Sequence, residues 1–122
     1  MEKTNFEKLD VYKLSGKLAD LIWKIFCELE AFVKNTIGIQ LVKSSDNIDA
    51  NIAEGTDRSS TAHNKRFTKI ARGSLFETKH WLWLVVKGKL LNTKQIEQIK
   101  SIIDELSPRL SAYVNAIKSI NH

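Results

Sequence analysis

Cysteine, proline and long apolar runs are nearly absent from this chain. A single cysteine, Cys27, excludes an internal disulfide. Its neighbours Ile25, Phe26 and Leu29 make it read as a buried, reduced thiol. One proline, Pro108, and five glycines leave few points at which a helix must break. The longest apolar run, Trp81 to Val86, falls far short of the roughly 20 residues that span a membrane. The opening MEKTNFEKLD is charged and has no apolar core of the kind a secretory signal carries, so a cytoplasmic location is expected. His80 and His122 stand at no metal-ligand spacing with Cys27, and there is no glycine-rich phosphate loop. Neither a metal nor a cofactor is expected.

Acidic residues are scarce in one stretch. Residues 58–94 hold nine basic side chains against Glu77, a net +8, which leaves −3 for the rest of a chain of net charge +5. A basic segment on a mildly acidic body suits a polyanion. The plainer alternative is a solvated helix face.

What the sequence has in abundance is helical periodicity. Val11, Leu14, Leu18, Leu21, Ile25, Leu29 and Phe32 recur at steps of three or four. So do Ile96, Ile99, Ile103, Leu106, Leu110, Tyr113, Ile117 and Ile120 in a last helix that contains Pro108 and should bend there. Between them, Ile37, Leu41, Ile48 and Ile52 mark a second helix, expected to end at Gly55 in a left-handed conformation. A polar turn, Thr56 to Thr61, offers Ser59, Ser60 or Thr61 as cap to a third helix that Gly88 ends. Asn92 and Gln95 have the spacing of a capping box for the fourth. No alternating strand pattern appears. Residues 1–122 therefore read as one all-α domain, an antiparallel up-down-up-down four-helix bundle.

The third helix carries two stripes. Phe67, Ile70, Ala71, Ser74, Thr78, Trp81, Leu82 and Val85 form the expected core stripe. Opposite lie Lys65, Lys69, Arg72, Phe76, Lys79 and Trp83. Arg58, Lys65, Arg66, Lys69 and Lys79 are the candidates for phosphate contacts. Phe76 and Trp83 either stack bases or meet another subunit, with lysine stems packed around them. The adjoining segment NIAEG places Asn51 and Glu54 near the apolar seam. A carboxylate there needs a partner, and Arg72, flanked by the small residues Ala71, Gly73 and Ser74, is the candidate. Asn51, Glu54 and Arg72 would then form a polar clamp, a structural role rather than a catalytic one. Arg58 and His63 also fit the Arg-x4-His spacing of some helical ribonucleases, but this match is weak and no enzyme is expected. The remaining alternative is an oligomeric scaffold whose basic face meets an acidic protein partner.

The same residues carry a resemblance. NIAEG with Arg58, followed by Phe67 and then ARGSL with Glu77, is similar to the four-helix bundle proteins encoded in intervening sequences of bacterial 23S ribosomal RNA genes. The opening FEKLDVYKLSGKLADLI resembles their usual start, so the likeness covers nearly the whole chain. It implies a ring-like homo-oligomer, a pentamer, and binding of RNA or DNA. A related bundle is the accessory protein of diversity-generating retroelements. The family commonly has Ser-Ile-Pro-Ser where this chain reads Asn47-Ile48-Asp49-Ala50, so no proline bends the second helix.

Overall fold

The computed structural model describes residues 3–56 and 60–120, with side chains from residue 8 to residue 117 within them. Helix α1 spans Lys3–Phe26. A short α-turn, Ala31–Val33, leads through a π-helical turn, Lys34–Gly38, into α2, Ile39–Thr56. Helix α3 spans Thr61–Lys87 and α4 spans Thr93–Ile120. The packed pairs are α1–α2, α2–α3, α3–α4 and α4–α1, so the helices run around the bundle in chain order. This is the up-down-up-down arrangement that short turns enforce. Among the described residues, no helix is long and apolar enough to cross a membrane.

The core follows the periodicity. Val11, Leu18 and Ile22 of α1 meet Leu41, Ile48 and Ile52 of α2, Ala71, Leu75 and Val85 of α3, and Leu106, Leu110 and Tyr113 of α4. In α3 the buried stripe runs through Thr68, Ala71, Ser74, Leu75, Thr78, Leu82 and Val85. Ile70, expected inside, is exposed. It lies about 100° of helix rotation from Ala71, which puts it on the margin. Trp81 and Phe67 are only half-buried.

Small polar residues let α2 and α3 approach closely. Ser44, Ser45, Ser74 and Thr78 are buried, and the Thr78 hydroxyl donates to Ser44 Oγ at 3.0 Å across the pair. The Ser44, Ser45 and Ser74 hydroxyls donate to carbonyls one turn back in their own helices, so these buried polar atoms stay satisfied.

The helix ends depart from expectation in an instructive way. Neither Gly55 nor Gly88 is left-handed; the described residue with positive φ is Lys89, at 58°. Gly88 caps α3, the Lys89 N–H donates to Val86 O at 3.0 Å, and the Leu90 N–H donates to Val85 O at 3.1 Å. These are the two bonds of a Schellman motif with lysine at the left-handed position. Gly55 instead lies buried inside the last turn of α2. A Cβ there would sit 2.9 Å from Asn64 Oδ1, 3.1 Å from Asn64 O and 3.2 Å from Phe67 Cβ. Its smallness is needed for close approach, not for backbone freedom.

The capping box forms as read: the Asn92 N–H donates to Gln95 Oε1 at 3.0 Å and the Gln95 N–H to Asn92 Oδ1 at 2.8 Å. Ser60 caps α3 by accepting from the His63 N–H at 3.2 Å. Helix α4 continues through Pro108. Two apolar expectations fail at the end of α1. The helix stops at Phe26, so Cys27 falls in the turn and is exposed, its thiol donating to Lys24 O. Phe32 belongs to the next helical segment and is 78% exposed.

Candidate nucleic-acid interface

Helix α3 presents its cations and aromatics along one outward stripe. Phe76 and Trp83, seven residues apart, fall within about 20° on a helix and are 56% and 58% exposed. Lys79 Nζ sits 5.5 Å from the Phe76 ring centroid, and Lys87 Nζ lies 4.9 Å from that of Trp83. Both are within cation–π range, so each ring already has an ammonium against it. Exposure separates the phosphate-contact candidates into two groups. Arg66 and Lys69 are exposed, whereas Lys65 is half-buried. Lys79 is half-buried and donates to Ser107 Oγ at 2.6 Å, tying α3 to α4. Arg58 lies outside the described residues.

The cations concentrate in the first half of α3. Lys65, Arg66, Lys69 and Arg72 fall within two turns with no acid between them, and Arg66 also rests over the Phe67 ring at 5.7 Å. The second half exposes Phe76, Trp83 and Val86, with Lys79 and Lys87 against the two rings. Glu77, the acid of this helix, is exposed and accepts from Trp81 Nε1 at 3.3 Å.

The expected polar clamp does not form. Glu54 is exposed, and no ion pair among the described residues joins it to Arg72. Asn51 bonds locally, donating to Asn47 O at 2.6 Å. Gly55 and Ile52 take the seam-facing positions, which turns Glu54 out toward solvent, where a carboxylate needs no partner. Besides Thr78–Ser44 and Lys79–Ser107, the helices are joined by a polar contact close to Gly55. Asn64 Nδ2 donates to the buried Tyr113 hydroxyl at 3.3 Å, and Asn64 Oδ1 accepts from Thr68 at 3.3 Å. Asn64 thus joins α3 to α4 beside Gly55 of α2. His63 likewise closes the α2–α3 connection: its Nε2–H donates to Glu54 O at 3.2 Å and its ring packs on Phe67 at 4.6 Å.

Two surface features escaped the sequence reading. Asp20 of α1 lies near Asp46 and Asp49 of α2. Burial first, and then the Asp20 carboxylate, raise the acid of Asp46 above the ordinary value. Burial also raises Asp49, with Asp46 and Asp20 adding to it against backbone hydrogen bonds that lower it. On the same side, Trp23 is 61% exposed and Ile39 is exposed. They border an apolar hollow of about 260 Å³ lined also by Phe26, Gly38 and Val42. The signal for this hollow was the pair Trp23 and Ile39, large apolar residues that stand outside the periodic core pattern of their helices.

With this geometry in place, the chain can be set beside known proteins. A solved protein of unknown function from the S23 ribosomal protein family of Bacteroides thetaiotaomicron superimposes with a TM-score of 0.78 at 24% identity. The superposition covers 89% of this chain and 98% of that one. At that identity the likeness speaks for the bundle alone. No curated protein sequence matches. Residues 7–112 match the profile of the 23S rRNA-intervening sequence protein. That match takes in both motif segments and all four helices, and the chain belongs to the 23S rRNA-intervening sequence protein family.

Proposed function

We propose that this chain is a non-enzymatic, self-assembling bundle that binds RNA or DNA through the first half of α3. The observation that carries the reading is the acid-free run of Lys65, Arg66, Lys69 and Arg72, with Arg66 and Lys69 exposed on one outward face. Four fixed cations within two helical turns match the spacing of a phosphate backbone better than that of a single small anion, and each neutralised phosphate releases counterions. The aromatics of the second half serve self-association instead. Each ring already has a lysine against it, which leaves less room for a base to stack. In a ring of five copies the cationic half would recur once per subunit, and avidity would strengthen a modest single-site affinity.

Fluorescence anisotropy with labelled single-stranded and duplex RNA and DNA, across several salt concentrations, tests this. Affinity should fall steeply with salt. Replacing Arg66 and Lys69 by Ala should weaken every oligonucleotide alike and flatten the salt slope by up to about two units. Absence of binding at low salt removes the nucleic-acid function and leaves an oligomeric scaffold for an acidic protein partner.

A further inference from the structure

The hollow between the end of α1 and the start of α2 joins an open aromatic face to two free cations. Trp23, Phe26, Ile39 and Val42 give it apolar walls, and Lys34, Asn35 and Lys43 are its polar lining. Among the described residues no acid lines it; Asp20 and Asp46 stand three residues from Trp23 and Lys43 but outside it. Both lysines are exposed, and among the described residues neither is in an ion pair. The Lys34 ammonium donates to Cys27 O at 3.4 Å, which holds it over the turn and leaves two N–H groups for a ligand. The π-helical turn Lys34–Gly38 brings Lys34, Asn35 and Gly38 to the hollow, and such turns are rare and frequent at functional sites.

Size and chemistry narrow the occupant. A cavity of about 150 Å³ takes one benzene ring. At about 260 Å³ this hollow has room for one larger ring system. The Trp23 indole offers a flat face for stacking, the Asn35 amide both donates and accepts, and the two ammonium groups suit a phosphate. The antiparallel order of the helices puts the α1–α2 and α3–α4 connections at the same end of the bundle. Lys87, Lys89 and Lys94 are exposed there, so a strand seated in the hollow finds further cations on its way to the α3 stripe. A free nucleotide would use none of them. A membrane surface fits less well, because interfacial binding sinks protruding apolar side chains into lipid and this feature is concave. Exposed Glu28 and Glu30 also flank the turn before Phe32, with the same sign of charge as anionic lipid.

We propose that the hollow receives one unpaired nucleotide of a single strand, its base against Trp23 and its phosphate at Lys34 and Lys43. This rests on the nucleic-acid part of the function proposed above and adds a preference to it. An unpaired base can enter the hollow, and a base held in a duplex cannot. The stacking role falls to Trp23, whose ring has no lysine against it among the described contacts, rather than to Phe76 or Trp83.

Cys27 supplies the readout: it lines the hollow, is exposed and is the one cysteine of the chain. Intact-mass spectrometry follows its alkylation by iodoacetamide with a single-stranded oligonucleotide, an abasic strand of equal length, a blunt duplex or a mononucleotide. Vesicles of phosphatidylcholine and phosphatidylserine form a further arm, and fluorescence anisotropy follows strand binding in parallel. The single strand should slow alkylation severalfold, whereas the abasic strand and the duplex should bind through α3 and leave the rate unchanged. W23S/K43Q, altered only at exposed positions, should lower single-strand affinity about tenfold with duplex binding unchanged. Circular dichroism confirms retained helix, and R66A/K69A should instead weaken all strands alike. Oligonucleotides that bind while Cys27 reacts at its free rate overturn the site and leave the nucleic-acid reading standing. Equal protection by the abasic strand overturns the placement of the base. Protection by the mononucleotide or the vesicles, without protection by the single strand, overturns the strand as occupant. If no oligonucleotide binds even at low salt, the nucleic-acid reading falls and this site falls with it.

Discussion

Single side chains decide how closely α2 and α3 can lie. Gly55 and Gly73 occupy neighbouring helices and look alike in sequence, yet their surroundings are opposite. A methyl at Gly55 would press on Asn64 and Phe67, two of the contacts being backbone oxygen and Cβ atoms that cannot swing aside. A methyl at Gly73 would meet nothing within 4 Å. Gly55→Ala should therefore destabilise the fold by about 1–3 kcal/mol through overpacking. Gly73→Ala should stabilise it by about 0.5–1 kcal/mol, by lowering the backbone entropy lost on folding. Urea denaturation of the two variants measures both. Equal effects would mean that the helices do not meet at Gly55 as described. The sequence made Asn51, Glu54 and Arg72 conspicuous because charges near an apolar seam look as though they need partners. Which residue of a helical turn faces inward depends on a rotation of a few tens of degrees. Here that rotation gave the seam to Gly55 and the interhelical bond beside it to Asn64 and Tyr113.

Helices as elements were legible, and their ends only in part. A step of three or four apolar residues repeated over many turns fixes a helix firmly, and the reciprocal Asn92–Gln95 pair marked the start of α4 correctly. Ends that rely on backbone conformation were less visible. Glycine attracted the left-handed assignment at Gly55, the end of α2, but the described residue with positive φ is Lys89, after the end of α3. An L-residue in that region costs roughly 1–2 kcal/mol, and the Schellman bonds at 3.0 and 3.1 Å offset it. Lys89→Gly should accordingly raise stability by about 1 kcal/mol, read as a higher thermal midpoint with unchanged helix content. No change, or a loss, would mean that residue 89 is not held left-handed in solution. The π turn at Lys34–Gly38 was equally hidden. It follows the unexpected end of α1 and leaves Phe32, which periodicity alone assigned to packing, on the surface beside the exposed Trp23 and Ile39.

For the whole molecule, the charge pattern was the most legible feature of the surface. The basic stretch 58–94 proved to be mainly one helix face, with Arg66 and Lys69 open and Lys79 committed to Ser107. The cluster of Asp20, Asp46 and Asp49 was not legible, because Asp20 and Asp46 are far apart in the chain and only helix pairing brings them together. Exposed surface ion pairs such as Arg109–Asp10, at 3.2 Å, contribute little to the fold. Stability thus rests on the apolar core and its close α2–α3 packing, and the proposed function on the faces that remain outside. The central claim is that those faces assemble copies of the chain and hold nucleic acid. Native mass spectrometry of protein purified at low salt without nuclease tests that most directly. The account predicts a defined homo-oligomer carrying nucleic acid, which nuclease treatment reduces to the protein-only assembly; a bare monomer of 13.9 kDa would contradict it.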